Sequence, residues 1–481
     1  MKTIAAEYHQ AMLPEYQGNP LIEALPVWIP DEDIASILGC YPPVTQEEKK
    51  LAPGLRTEYL LRLKELRQPL PVYIDCFRAI ETAIKEGYSC KNPLSPATVN
   101  YLHYPVDHRP DIAPSGGFFS PKGCGITVIG ESGVGKTCML EQILNWYPDV
   151  IEHKAVGAYP VVLKQVVWIK VDCPADSSIK ALCYSILSGL DKKLGGVSLK
   201  RATTIPLLLE QIEARIKSSY LGILVIDEMQ NMNLARSGGA ERLLSFIHSL
   251  VNNLGIPVLF CANPPFNELL SQSLKAARRA ESNGYFECSL LENDEVWSLF
   301  IDELWQLQWT NVLTPLTQEL SDTLFELSVG NIELAVRIFR EAQRLVIGRA
   351  NEVITKELLI FSASGVVRMS ATAVSVIRRE RSLAVLKRKS KKEDQAFRDE
   401  NTLSSSQTIK FGNNALSIPG DLNCVQHPEF SHQITALQQN EKHYQLPADT
   451  DLYQRVADGA ESISRLNESG LICRSLLSET K

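Results

Sequence analysis

A lysine and a threonine behind a glycine-rich loop have the most chemistry to offer in this chain. Gly130, Glu131, Ser132, Gly133, Val134, Gly135, Lys136 and Thr137 fit the spacing G-x-x-x-x-G-K-[ST]. The apolar run Ile126–Ile129 enters this loop and an apolar helical pattern leaves it. Glycines let such a loop curl until successive backbone N–H groups point inward at phosphate oxygens. A helix opening at Lys136 adds the positive end of its dipole. Lys136 would then reach the β- and γ-phosphates of ATP, and the Thr137 hydroxyl would ligate Mg2+. A chance glycine-rich turn before a helix is the bland alternative. The strand before the loop and the helix after it argue against that.

A second group of residues fits the same chemistry. Leu221–Ile226 is a continuous apolar run, as expected of a strand covered on both faces. It leads directly into Asp227 and Glu228, at the carboxyl end where ligands bind in open α/β sheets. Asp227 would hold Mg2+, directly or through water, and Glu228 would polarise the water that attacks the γ-phosphate. The separation from Lys136 is that of a Walker A and Walker B pair. The next strand ends at Asn263, before Pro264, where an amide can hydrogen-bond the attacking water or the γ-phosphate; the plain alternative is a turn-forming Asn. Arg278 and Arg279 precede the fifth strand. One of them could reach a neighbouring subunit's γ-phosphate, so that hydrolysis depends on assembly; the alternative is a solvated basic helix face. Arg236 is a less favoured candidate.

These residues need a scaffold of alternating strands and helices. Strands are expected at 125–129, 166–171, 223–226, 258–262 and 285–290, with helices at 138–146, 179–193, 205–218 and 240–254 between them. Alternation of this kind implies a parallel sheet, here of five strands, over residues 124–290. Residues 1–123 are proline-rich and read as short helices with extended connections, including helical spacing at 57–66 and 73–85. They form a candidate partner-binding region. Residues 291–365 read as an all-helical unit with caps at Asn293, Thr314 and Thr355. Residues 366–398 are basic, a nucleic-acid or partner tether or else a solvated helix running into a linker. Residues 399–481 are polar and expected to be partly disordered.

Composition narrows the field. The chain has 481 residues, a net charge of −7 and 44% hydrophobic residues, ordinary for a globular protein. That charge neither announces nor excludes a nucleic-acid partner, because a local basic face is what binds. Eleven cysteines without a C-x-x-C pair suggest free thiols in a reducing cytoplasm. No secretory signal is expected at the amino terminus, and no apolar run approaches the ~18 residues of a membrane span. His103 and His108 are better read as surface or polar-core residues than as metal ligands, and Cys424, His427 and His432 resemble a partial metal site that lacks a fourth ligand.

Taken together the chain resembles the AAA+ transposition regulators of bacterial cut-and-paste transposons, the TnsC/TniB type, over roughly residues 15–360. The resemblance rests on Asn19–Pro26, on Gly87-Tyr88 with Lys91-Asn92-Pro93, on Gln165–Cys173, on Asp227–Gln230 followed by Arg236–Gly239, and on Leu274–Arg279. It implies an AAA+ P-loop NTPase fold with a small all-helical lid. The lid usually offers an arginine near a Gly-Asn turn; here that place is Glu333, and the nearest arginine is Arg337. It implies ATP-bound subunits assembled as a ring or filament on duplex DNA, held through phosphates without sequence reading. Such an assembly links a target-selection protein to transposase subunits. Lys170 and Lys180 are the nearest matches to the family's DNA-contacting residues, with Lys192, Lys193, Lys200 and Arg201 further out. The implied setting is the bacterial cytoplasm, with no membrane partner. Two other functions fit the motifs: a loader-type AAA+ ATPase, for instance of a replicative helicase, and a nucleotide-gated DNA-binding scaffold with negligible turnover.

Overall fold

The computed structural model describes residues 2–95, 123–157, 159–174, 178–195, 200–231, 245–246, 251, 255–264, 266–368, 371–379 and 381. His103, His108, Arg236, the histidines and Cys424 of the polar stretch, most of the helix expected at 240–254 and residues 382–481 lie outside them.

The chain opens with strand β1 (Thr3–Ala5), then helices α1 (Pro20–Glu23), α2 (Asp31–Leu38), α3 (Pro53–Tyr59) and α4 (Pro71–Ser89). The single helix expected at 57–66 is instead α3 followed by a 3-10 helix, Leu60–Glu65. Pro53 and Pro71 occupy first-turn positions, where the missing N–H costs nothing, so α3 and α4 start earlier than the apolar spacing indicates.

The central elements are β2 (Gly125–Gly130), α5 (Lys136–Trp146), β3 (Val150–Val156), β4 (Tyr159–Val166), β5 (Trp168–Asp172), α6 (Ile179–Leu194), α7 (Ile205–Ser219), β6 (Ile223–Asp227), β7 (Val258–Ala262), α8 (Phe266–Ser271), α9 (Leu274–Ala280) and β8 (Tyr285–Cys288). Five strands form one parallel sheet in the order β5-β6-β7-β2-β8. Side chains alternate between its faces. Ile126, Val128, Ile223, Val225, Leu259 and Cys261 join one core. Ile169, Leu224, Ile226, Val258 and Phe260 join another, against α6 and α7. Both faces are covered, which is why these strands read as continuous apolar runs.

The strand expected at 166–171 is divided. Val166 ends β4 and pairs antiparallel with Val150. The Val167 N–H donates to Asp149 O (3.1 Å), and β5 then starts beside β6. One apolar run therefore serves two sheets. The second sheet, in the order β1-β3-β4, lies outside the five strands that the sequence pattern indicates. β1 has three residues and pairs in parallel with β3.

The remaining helices are α10 (Glu295–Gln306), α11 (Gln318–Ser328), α12 (Ile332–Val346) and α13 (Lys356–Val366). Thr355 caps α13 as expected. Asp294, not Asn293, caps α10, because Asn293 donates to Asp322 (3.0 Å). Thr317, not Thr314, caps α11; the Thr314 hydroxyl accepts from the Ile354 N–H (3.0 Å). No single helix among the described residues is long and apolar enough to cross a membrane.

The amino-terminal segment shares one core with the sheet and these helices: Leu21, Ile34, Phe77 and Ile80 join Val128, Ile143, Trp297 and Phe339. Stretches distant in sequence meet here. Asn19 Nδ2 donates to Tyr88 O (2.8 Å), and the Tyr88 hydroxyl donates to Tyr220 O (2.9 Å). A side chain on Gly87 would lie 2.8 Å from Pro257 Cδ. Arg56 forks onto both carboxylate oxygens of Glu352, at 2.5 and 2.7 Å, and also donates to Trp309 O (3.0 Å). Its side chain is 3% exposed and that of Glu352 2%.

Removing one member of such a pair strands the other in a dry setting. Arg56→Ala is expected to lower unfolding free energy by about 3–5 kcal/mol, read from urea denaturation. A loss below about 1 kcal/mol, the scale of an exposed ion pair, would show that water reaches the site.

A buried histidine adds a pH dependence. Gln165 Nε2 donates to Leu21 O (2.8 Å), leaving its Oε1 to accept from His153 Nε2 (2.9 Å). His153 Nδ1 then accepts from the Tyr8 hydroxyl (2.9 Å). Burial holds the imidazole below its ordinary value of 6.5, against the opposing hydrogen bond with Gln165. The unfolded chain therefore takes up the proton first. This contribution to stability is complete above pH 6.5 and is lost as pH falls below it. Between about pH 7.5 and about pH 5.5 the native chain should lose more stability than His153→Gln. Equal losses would exclude His153 as the titrating group.

Candidate functional site

Strands β2, β6 and β7 end side by side, and each delivers part of the site. The loop after β2 needs two residues with positive φ, Gly133 at 84° and Gly135 at 96°. A side chain on Gly135 would also meet the Tyr73 hydroxyl at 2.6 Å. Gly130 has a different reason: its Cα packs so closely on β8 that a Cβ would lie 2.2 Å from Cys288 O. Lys136 is 7% exposed, and its ammonium donates to Gly130 O (2.8 Å), Glu131 O (2.8 Å) and Asn263 Oδ1 (2.7 Å). The Thr137 hydroxyl donates to Asp227 Oδ2 (3.1 Å). Lys136, Thr137, Asp227 and Asn263, expected together from sequence, are thus joined by hydrogen bonds.

Asp227 is 2% exposed. Burial alone would raise its carboxyl group. The Cys261 thiol, the Lys170 ammonium and the Glu228 N–H outweigh that and hold it below the ordinary carboxylate range. The charged form is therefore kept at the strand end. Thr137 Oγ1 and Asp227 Oδ2 are hard oxygen donors one hydrogen bond apart, a donor set that suits Mg2+.

Glu228 follows with φ 57°, a left-handed conformation costing a non-glycine residue about 1–3 kcal/mol. The Asp227 carboxylate supports it by accepting the Glu228 N–H (2.9 Å). The sharp turn aims the Glu228 side chain into the cleft described below. There it accepts a short hydrogen bond from Gln230 Nε2, while Gln230 Oε1 accepts the Asn263 N–H (2.9 Å). Gln230 thus links the two residues expected to face the water. Its stretch enters the sequence reading only as part of the resemblance at Asp227–Gln230, and an uncharged amide there points to no chemical role of its own.

A cleft of about 480 Å3 opens over the loop. Its floor includes Gly133, Lys136, Thr137, Glu228 and Asn263; its walls include Leu66 and Arg67 on one side and Ile332, Val336, Arg337 and Arg340 on the other. Asn331 caps α12 by accepting the Leu334 N–H (3.1 Å) and also donates to Ser132 O (2.9 Å). The Glu333 N–H donates to Gly133 O (3.1 Å). The start of α12 is therefore fastened to the loop itself. Arg337 lines the cleft but is held by Glu333 (3.4 Å) and Val366 O (3.2 Å).

The other expected residues lie elsewhere. Arg278 and Arg279 are exposed on α9, whose end packs on the first residues of β2: Thr127 Oγ1 donates to Ala280 O (2.8 Å), and Gly125 N to Ser282 Oγ (2.8 Å). The loop follows the other end of β2, ~15–20 Å away at ~3.3 Å per residue. They do not join their own chain's site. Lys170 does not offer an open phosphate contact: its ammonium pairs with Asp227 (3.1 Å) and Asp172 (3.2 Å). Lys180 is on the first turn of α6, 5.7 Å over the Tyr184 ring. Of the outer basic candidates, Lys193 pairs with Asp149 and Arg201 with Asp191 (2.7 Å).

A five-stranded parallel sheet with this loop at the carboxyl end of β2, and an acidic pair closing β6, is the AAA+ P-loop fold. Residues 122–270 match the family model described as an AAA domain. No curated protein matches the chain. Similar solved structures include Cdc6p from Pyrobaculum aerophilum (12% identity, 62% of this chain and 68% of that chain, TM-score 0.39). A Walker-type ATPase of Pyrococcus abyssi has 14% identity over 54% of this chain and 71% of its own, with TM-score 0.35. The Thermotoga maritima RuvB Holliday junction branch migration motor has 15% identity over 50% and 61%, with TM-score 0.30.

The fastening of α12 yields a prediction that needs no ligand. Asn331→Ala removes a cap and the tie to Ser132, and is expected to cost about 1 kcal/mol of stability. Amide exchange in residues 130–137 should rise with it. Unchanged exchange there would show that Asn331 caps α12 without restraining the loop.

Proposed function

We propose that this chain binds ATP with Mg2+ in the cleft and hydrolyses it at an interface between subunits. The single observation carrying this is the convergence of Lys136, Thr137, Asp227, Glu228 and Asn263 at adjoining strand ends, with Arg278 and Arg279 exposed on α9 away from that site. Loop amides and Lys136 hold the phosphates, and Lys136 exchanges its internal acceptors for phosphate oxygens as ATP enters. Thr137 and Asp227 hold Mg2+, which when bound neutralises phosphate charge. Glu228 takes the proton of the attacking water, and Asn263 orients that water. A guanidinium from α9 of the adjacent subunit stabilises the transferred phosphoryl group.

The resemblance to the TnsC/TniB type gives this ATPase its setting: an assembly on duplex DNA that links a target-selection protein to transposase subunits. The same resemblance supports holding DNA through phosphates, with Lys180, half-buried over the Tyr184 ring, the nearer candidate and Lys170 turned to the site.

The test is ATP turnover and duplex-DNA binding by purified subunits. Lys136→Ala should abolish both, and Glu228→Gln should retain ATP and accumulate on DNA. Arg278→Ala/Arg279→Ala should lose on the order of a thousandfold in turnover. Mixing that variant with Lys136→Ala should restore part of it, because one supplies an intact loop and the other intact arginines. Full turnover by isolated monomers would overturn the shared site. DNA binding indifferent to ATP and to salt would overturn the proposed setting.

A further inference from the structure

Lys170, a candidate DNA contact by resemblance, is turned toward the nucleotide site instead. It lies on β5, two residues before Asp172, so the two share a face of the strand. β5 and β6 pair in register, with Asp172 opposite Asp227. The lysine stem runs along that face and brings its ammonium 3.1 Å from Asp227 Oδ2. This is the same oxygen that accepts the Thr137 hydroxyl. A fixed positive charge therefore occupies the surroundings of the oxygen pair best suited to a divalent cation. Asp172 (3.2 Å) and Glu141 (3.9 Å) lie beside the ammonium, with side chains 70% and 54% exposed. They give Lys170 a second resting place. With these two carboxylates it can leave Asp227 without becoming an unpaired charge, which a side chain only 17% exposed would hold at a cost.

We propose that Lys170 is a built-in counterion at the metal position: it neutralises Asp227 while no metal is bound and moves to Asp172 and Glu141 when Mg2+ takes Asp227 Oδ2. The inference rests on the ATP-binding reading of the loop. Its consequence is order of arrival. A bare carboxylate at the strand end would repel the phosphates of metal-free ATP, whereas an ion-paired one does not. The nucleotide can thus enter first and the metal second. The ammonium also competes with the metal, so the occupied site holds Mg2+ less tightly than a lone carboxylate and hydroxyl would.

The experiment titrates a fluorescent ATP analogue into the full chain in EDTA and at graded Mg2+, with the native protein, Lys170→Met and Lys170→Arg. The native chain should bind the analogue in EDTA. Lys170→Met should bind it more weakly there, while its half-saturating Mg2+ concentration falls by about tenfold or more, tenfold lying near the water-screened limit for one charge a few ångströms away. Lys170→Arg, which keeps the charge, should bind in EDTA as the native chain does. A side chain that only braced β5 would leave the Mg2+ midpoint unmoved. An unchanged or raised midpoint in Lys170→Met overturns the inference. So does a native chain that binds only when Mg2+ is present, a result that leaves the ATP-binding reading intact and needs no variant to fold. Absence of analogue binding by the native chain under every condition overturns both.

Discussion

One carboxylate orders the site. Asp227 is buried at the end of a strand, and a charge in that position persists only if donors surround it. The Thr137 hydroxyl ties it to the loop after β2, the Glu228 N–H to its own turn, Lys170 to β5 and the Cys261 thiol to β7. Three neighbouring strands and the helix behind the loop are thereby held in one register at their carboxyl ends. The strained backbone of Glu228 is tolerable because the same carboxylate supports it. Loss of this group would release the loop, the turn and Lys170 together.

The loop is also closed from above. The start of α12 bonds to Ser132 O and Gly133 O, and the stretch around Leu66 and Arg67 forms the facing wall of the cleft. Neither wall is an independent attachment. Phe77 from α4, Ile143 from α5 and Phe339 from α12 belong to one apolar cluster. Burial at that scale outweighs any single hydrogen bond at the cleft mouth. The opening between the walls is accordingly set by core packing, and the polar contacts tune it.

What sequence made legible follows from local physics. Gly133 and Gly135 announce a curled loop, Leu221–Ile226 announces a doubly covered strand, and Thr355 marks the start of α13. These features depend on a residue and its near neighbours. What stayed hidden depends on partners far along the chain. The sheet β1-β3-β4 joins Thr3 to Val150, and a strand of three residues has too little alternation to show itself. Val166 and Trp168 look like one strand because apolar side chains do not say which sheet they enter. Lys170 reads as a DNA-phosphate contact because nothing in its own stretch shows that Asp227 lies across the sheet. Asn293 and Thr314 are good capping residues by type, yet Asp322 and Ile354 engage them instead.

The fork from Arg56 to Glu352 has a consequence for how the chain comes into being. The partners are 296 positions apart. During synthesis the amino-terminal segment leaves the ribosome long before Glu352 exists, at roughly 5–20 residues per second. For that interval its guanidinium lacks its carboxylate partner, and the dry pocket it later fills cannot close. Helices α3 and α4 can form early, but their final docking waits for the last quarter of the described chain. A nascent chain stalled before Glu352 would expose the apolar surface around Leu60 and Leu63, the kind of surface that recruits chaperones.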